Sequence, residues 1–271
     1  MCKPTLALFR IYVILYIRLL VKAGFCHNST LGCDSMTKYL FTRPLQKGLI
    51  TSRPNRFVMF VKSHGKVLRC RCPAPTKIGK LSFKAVPCLL SEHKEKGKTS
   101  HTVEAISLKN TFGKHWWVGI NQTKVNAVCE YFLNSGSLSR LIKQPAFHRD
   151  GKIGNSRIDF VSKDILLEVK TPLTVLPNLS AELTNYNHAG KYERTIRHYS
   201  VLSKHAKSGK RAIVLLAYLY PAPAFNPFKQ NTGNWKFINA MQKAYKNGVE
   251  FWQVTMAIDK TGIVLLKYFR L

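Results

Sequence analysis

Between Ser156 and Lys170 the chain reads Ser-Arg-Ile-Asp-Phe-Val-Ser-Lys-Asp-Ile-Leu-Leu-Glu-Val-Lys, and its side chains there have the types and spacing to do chemistry. Asp159 sits between Ile158 and Phe160, so on a strand its carboxylate points away from both apolar neighbours. Glu168 and Lys170 are two apart and share a strand face, while Leu167 and Val169 take the opposite face and belong to a core. Folding the two runs back at Ser162-Lys163-Asp164 brings Asp159 alongside Glu168 and Lys170. That makes two carboxylates and an ammonium in one small patch.

Two carboxylates can hold Mg²⁺, which accepts few protein ligands and keeps several waters. A metal held in this way polarises a phosphate and generates hydroxide at neutral pH. Lys170 would position the attacking water or help deprotonate it, and would offset charge building on the phosphorus centre. The same residues also fit a surface hairpin carrying an ordinary Glu/Lys pair.

The charge of the whole chain narrows the partner. Forty-three Lys and Arg stand against 13 Asp and Glu in 271 residues, a formal net charge of +30. At 45% apolar and 11% aromatic residues the chain can bury a core, which excludes a disordered basic tail. A basic domain with a core reads as a binder of DNA, or of RNA, because Lys and Arg that neutralise phosphates release counterions, and a ribosomal or membrane-surface protein fits the same charge. Candidates for phosphate contacts are Arg56, Arg69 and Arg71 in the first half and Arg157, Arg194 and His198 in the second. His198 also fits a solvated basic helix face with Arg194 and Arg197. The seven cysteines, at 2, 26, 33, 70, 72, 88 and 129, contain no Cys-x-x-Cys pair, which argues against structural zinc. Cys70 and Cys72 read as small buried hydrophobes on one strand face.

The elements that must position these groups fall into three stretches. Residues 1–35 are an N-terminal extension in which Leu6 to Leu20 is nearly continuous in apolar residues apart from Arg10 and Arg18. It reads as a signal-peptide core, an Arg-containing transit peptide, an interfacial helix, or sequence upstream of a start at Met36. Removing it takes away Lys3, Arg10, Arg18 and Lys22 and only one acid, Asp34, so the basic excess persists. A start at Met36 predicts a cytoplasmic protein of bacterial type, and translation of residues 1–35 predicts organelle targeting or membrane association. No membrane partner and no small-molecule cofactor is expected.

Residues 36–115 read as short strands: a hairpin from Arg56 to Pro73 around Ser63-His64-Gly65-Lys66, then Lys80 to Ala85, Thr99 to Leu108 and His115 to Ile120, with Glu92 to Ser100 as a loop. An OB-like barrel suits a basic module of this kind, and a small β-sandwich fits the same strands. From 116 to 271 helices alternate with strands, which predicts an α/β domain. Val125, Val128, Cys129, Phe132 and Leu133 mark an amphipathic helix ending at Gly136. Helices are also predicted at Lys191 to Lys207 and Trp235 to Lys246. Strands are predicted at Arg211 to Tyr218, Val249 to Ile258 and Ile263 to Phe269, with a Pro-rich loop from Pro221 to Pro227.

From about Thr42 to Leu266 the sequence resembles the sugar fermentation stimulation protein (SfsA) family. The closest matches are Arg157-Ile158-Asp159-Phe160 and Leu167-Glu168-Val169-Lys170. Arg43-Pro44-Leu45, Arg56-Phe57, Cys72-Pro73, Val118-Gly119-Ile120-Asn121 with Asn126, Glu193-Arg194 with His198, and Arg211 to Leu216 follow in family order. The resemblance implies an OB-like N-terminal domain and a PD-(D/E)XK nuclease-like C-terminal domain. It implies metal-dependent cleavage of DNA or RNA, or at least nucleic-acid binding, with Mg²⁺ or Mn²⁺ on Asp159 and Glu168 and Lys170 as the catalytic lysine. It favours Met36 as the start. A non-catalytic DNA-binding regulator that keeps the fold is the rival reading, because the chain departs from the pattern. Ala74-Pro75-Thr76-Lys77 follows Cys72-Pro73, Thr195 replaces a Gly, and Leu219 stands where a Gln is expected. Glu130, one residue out of register beside Tyr131, is the candidate for a further acid on the first helix. Core packing is expected for most of the four tryptophans, Trp116, Trp117, Trp235 and Trp252, and Trp116 or Trp117 is the better candidate for stacking on a base.

Overall fold

His64 and Gly65 both take positive φ, +48° and +76°, and turn the chain through two residues between β3 (Val58–Ser63) and β4 (Lys66–Arg71). The computed structural model describes residues 37–74, 83–95, 97–109, 115–143, 146–173, 189–226 and 234–271. The readings of residues 1–35, of Pro75-Thr76-Lys77 and of Pro227 lie outside them.

β2 (Gln46–Ser52) pairs antiparallel with β3 on one side and with β5 (Val86–Glu92) on the other, and β5 pairs with β6 (His101–Lys109). β4 then meets β6 in parallel through Cys70↔His101 and Arg71↔Thr102. The circuit β2-β3-β4-β6-β5 is a closed five-stranded barrel with OB-type connections. Ile50, Met59, Val61, Leu90, Val103 and Ile106 fill it. Cys70 and Cys88 join them, and burial pushes their thiols up to about 11 and about 12, so they are inert apolar groups.

Of the strand expected at Lys80 to Ala85, Lys80, Leu81 and Ser82 lie outside the described residues, and its described end is not strand. Lys84 and Ala85 form a turn, with Ala85 at φ +61°, and the strand begins at Val86. Pro87 conceals it in the sequence because proline cannot donate to a ladder; it pairs with Leu49 of β2 just beyond the reach of β6. The hairpin likewise begins at Val58, two residues after Arg56.

The second sheet has the order β1-β13-β12-β11-β10-β9-β8, from β1 (Lys38–Leu40), β8 (His148–Ile153), β9 (Ser156–Val161), β10 (Ile165–Lys170), β11 (Arg211–Tyr218), β12 (Glu250–Ile258) and β13 (Gly262–Arg270). Its centre, β10-β11-β12, is parallel, and α2 (Ala189–Lys207) and α3 (Trp235–Lys246) make the crossovers. β11 alternates between two cores. Val214 and Leu216 join Tyr199 and Leu202 of α2 and Met241 of α3. Ile213 and Leu215 join Val128, Phe132 and Leu133 of α1 (Val125–Asn134). Helices therefore cover both faces. Gly136, at φ +74°, stops α1 where the sequence predicts.

The two sheets do not divide at one point in the chain. β7 (His115–Gly119) extends the barrel from β6, while β1, which precedes the barrel, pairs with β13. Among the described residues, no helix is long and apolar enough to cross a membrane.

Candidate functional site

β9 and β10 run antiparallel with Val161 opposite Leu166 and Phe160 opposite Leu167, and the same register carries Asp159 to Glu168. There the amide of Val169 donates to Asp159 Oδ2 at 2.7 Å. Asn126, in the first turn of α1, donates from Nδ2 to Asp159 Oδ1 at 2.9 Å. Burial raises the pKa of Asp159, and the negative charge of Glu168 adds to it; the two hydrogen bonds and Lys170 act the other way. The result is a carboxylate fixed in direction but short of compensating positive charge.

Glu168 is 2% exposed. Its Oε1 accepts from Lys170 Nζ at 2.5 Å and from His198 Nδ1 at 2.6 Å. Burial is the largest single influence and opposes ionisation, yet the His198 hydrogen bond and the Lys170 charge together outweigh it and hold the pKa below the ordinary value. Glu168 Oε2 is buried and has no hydrogen-bond partner. A buried carboxylate oxygen left in this state is costly unless something else satisfies it.

The donor set fits a divalent cation of the magnesium type. Asp159 and Glu168 offer carboxylate oxygens with a free lone pair, one of them otherwise orphaned, and hard cations take such oxygens while retaining water. Among the described residues no group of three or more His, Cys, Asp and Glu could hold a metal. Among the described residues, Asp159 and Glu168 alone are a set too small for a closed zinc site. Glu130 does not complete it: its carboxylate pairs with Arg149 of β8 at 3.3 Å, and Asn126, one helical turn earlier, is the α1 residue that reaches Asp159.

His198 takes neither the phosphate contact expected of it nor a place on a solvated basic face, because it is buried. It is buried against Glu168, with Arg194 Nε 3.5 Å from its Nε2, which leaves Nδ1 as the donor to the carboxylate. Arg194, Arg157, Arg56, Arg69 and Arg71 are exposed, as phosphate contacts require. Leu219 lies just past β11 and packs against Gly119. The β11 neighbours of Glu168 and Lys170 are apolar Val214 and Leu216. One strand further, Gln253 is opposite Leu216, but its amide is committed to Phe225 N and Pro223 O in the Pro-rich loop.

Asn126 and His198 are both named in the sequence, Asn126 by the family resemblance and His198 as a phosphate contact, but the carboxylate that each one holds is not. Asn is unfavourable inside helices unless its amide has a task, which is the signal that Asn126 offers. His198 falls on the stripe Thr195, His198, Tyr199, Leu202, whose spacing marks a buried face.

Residues 123–262 match the family model described as the sugar fermentation stimulation protein RE domain. Relatives along most of the chain bear the name sugar fermentation stimulation protein homolog. That of a Synechococcus species is 25% identical over 236 residues, 85% of this chain and 94% of the relative. That of Sulfolobus acidocaldarius is 28% identical over 218 residues, 80% of this chain and 84% of the relative. A solved structure of Pyrococcus furiosus SfsA in complex with Ca²⁺ shares the fold, with a TM-score of 0.67 at 22% identity over 86% of this chain and 98% of that one. Because the RE-domain match takes in just over half of its length, the chain belongs to the sugar fermentation stimulation protein family.

Proposed function

We propose that this protein is a metal-dependent phosphodiesterase acting on nucleic acid, with Mg²⁺ or Mn²⁺ held by Asp159 and Glu168 and with Lys170 as the catalytic cation. The observation that carries it is the unpartnered, buried Oε2 of Glu168 beside the clamped carboxylate of Asp159. That the Pyrococcus furiosus SfsA structure is a complex with Ca²⁺ supports a divalent-cation reading for this chain. A bound metal would supply Lewis acidity toward a phosphate oxygen and a water of lowered pKa.

The chain's own residues do the rest. Asn126 and the Val169 amide aim Asp159, and His198 holds Glu168 through Oε1, so that Oε2 stays available. The Lys170 side chain is 24% exposed, so its ammonium can meet a substrate phosphate while touching Glu168. A cation there offsets charge developing at phosphorus. The surplus of Lys and Arg supplies affinity for the backbone regardless of sequence. In this reading residues 36–115 bind nucleic acid and residues 116–271 carry the chemistry.

The direct contact of Lys170 with Glu168 favours the rival reading of a non-catalytic binder, since that ion pair neutralises the carboxylate without a metal. The test uses labelled single- and double-stranded DNA and RNA in Mg²⁺, Mn²⁺ or EDTA, beside Asp159→Ala and Lys170→Ala. Expected is metal-dependent cleavage that falls by about 10²–10³-fold in Lys170→Ala, the range for losing one charge-stabilising donor. Metal should also raise the Tm of the native protein but not of Asp159→Ala. Salt-sensitive binding without cleavage in either metal would establish the binder instead.

A further inference from the structure

The turn that precedes β3 carries an exposed aromatic ring whose backbone is unusually well fixed. Phe57 is 52% exposed. Asn55 Oδ1 accepts from the amides of both Phe57, at 2.9 Å, and Val58, at 3.0 Å. The Phe57 carbonyl accepts from Cys72 N at 2.7 Å. Arg53 Nη2 donates to the carbonyls of Arg56, at 3.2 Å, and Ala74, at 2.8 Å, tying the start of the turn to the end of β4. A single exposed apolar residue is ordinary. One whose backbone is held from both sides, with about half of its surface in water, has its backbone entropy already spent, which is what a rigid contact surface requires.

The charges around the ring point to its ligand. The Arg56 guanidinium lies 4.5 Å from the centroid of the Phe57 ring. Arg71 pairs with Val58 across the β3–β4 hairpin, and Arg69 follows two residues back on the same outward face; both are exposed. No acid interrupts the run from Arg53 to Arg71. A hydrophobic ring beside one guanidinium, at the end of a hairpin whose exposed residues include two more arginines, matches a nucleobase attached to its phosphates, and the base must be unpaired for its face to be free.

We propose that the Phe57 turn is a base-stacking site for unpaired nucleotides, with Arg56 and Arg71 on the adjoining phosphates. This rests on the nucleic-acid reading and adds a substrate class to it: single strands, or duplexes with unpaired bases. It adds Phe57 to the arginines as a residue that distinguishes single strands from duplex.

The full chain, in EDTA to prevent cleavage, is titrated by fluorescence anisotropy with a 20-nucleotide single-stranded DNA, the corresponding duplex, and a single strand of equal length bearing abasic sites. Expected is about tenfold weaker binding of the intact single strand by Phe57→Leu, within the range for losing one stacked base, with Phe57→Trp restoring it. Duplex and abasic affinities should be unchanged in Phe57→Leu. Native affinity for intact single strands with no loss in Phe57→Leu, or an equal loss on all three probes, overturns the stacking site alone. Failure of the native protein to bind any of the three at low salt overturns the nucleic-acid reading, and the stacking site with it.

Discussion

His198 separates two ways of holding a carboxylate. Its Nδ1 touches Glu168 Oε1, and its Nε2 faces Arg194. If the contact with Glu168 keeps Oε2 directed at a metal, only the Nδ1 function is needed. Asn carries its amide nitrogen at the reach of Nδ1, and Gln carries it at the reach of Nε2. His198→Asn should therefore keep metal affinity within about threefold, while His198→Gln should lose about 10–100-fold, the usual penalty for removing a group that orients a metal ligand. The readout is the metal concentration giving half of the Tm shift. Equal loss in both variants would mean that the imidazole matters only as packing volume. Asn126 offers a parallel case on the other carboxylate, because its single hydrogen bond to Asp159 ties the direction of that ligand to the position of α1.

At the level of elements, the position of α1 depends on how the barrel hands the chain to the second sheet. The amide of Gly119 donates to the Leu219 carbonyl at 3.0 Å, and that of Ile120 donates to the Glu104 carbonyl at 2.9 Å. Buried Glu104 then accepts from Ser91, Asn121 and Lys124 and fixes the segment where α1 begins. A Cβ at position 119 would overlap the Leu219 side chain and come within 3.1 Å of its carbonyl oxygen. Gly119→Ala should destabilise the protein by about 1–3 kcal/mol in urea unfolding, the range for overpacking a filled core. It should also weaken cleavage by displacing Asn126. An unchanged unfolding midpoint would show that the two backbones can part freely. Val118-Gly119-Ile120-Asn121 thus has a mechanical meaning that its letters alone do not disclose. The helix beginning at Val125 and the hairpin through Asp159 and Glu168 were legible because their apolar residues recur at clear helical and strand periods. β2 was not, since Lys47 and Gly48 break its alternation, and β5 was hidden by Pro87. β8 is largely exposed, and Asp150, at φ +54°, is skipped in its pairing with β9, so no period was available to read. The site was legible where charge sits on those periodic strands. Asn126 and His198 were named, but the carboxylates they hold were illegible because each contact comes from a distant helix.

On the scale of the whole molecule, a formal charge of +30 makes opposite demands on stability and on binding. Several of the 13 acids are already committed within the fold: Glu250 to Arg211, Asp259 to Lys38, Glu104 to Lys124 and Glu168 to Lys170. Most of the 43 basic side chains therefore repel one another, and that repulsion weakens the compact state more than the expanded one. Salt relieves it: raising ionic strength from about 0.01 to 0.1 M shortens the Debye length from about 30 to about 10 Å. The Tm of the protein alone should then rise by a few degrees. Affinity for nucleic acid should move the other way, because each phosphate contact contributes about −0.9 to the log-log salt slope, so five contacts lose roughly four to five powers of ten over the same change. At the lower ionic strength a short DNA strand should stabilise the protein more than the added salt does, since it brings matched negative charge to the basic surface as well as screening it. Thermal melts and anisotropy titrations over one salt series measure both slopes. A Tm that falls with salt while affinity is unchanged would mean that the basic residues act mainly as solvated surface, and would remove the electrostatic basis for a polyanionic substrate.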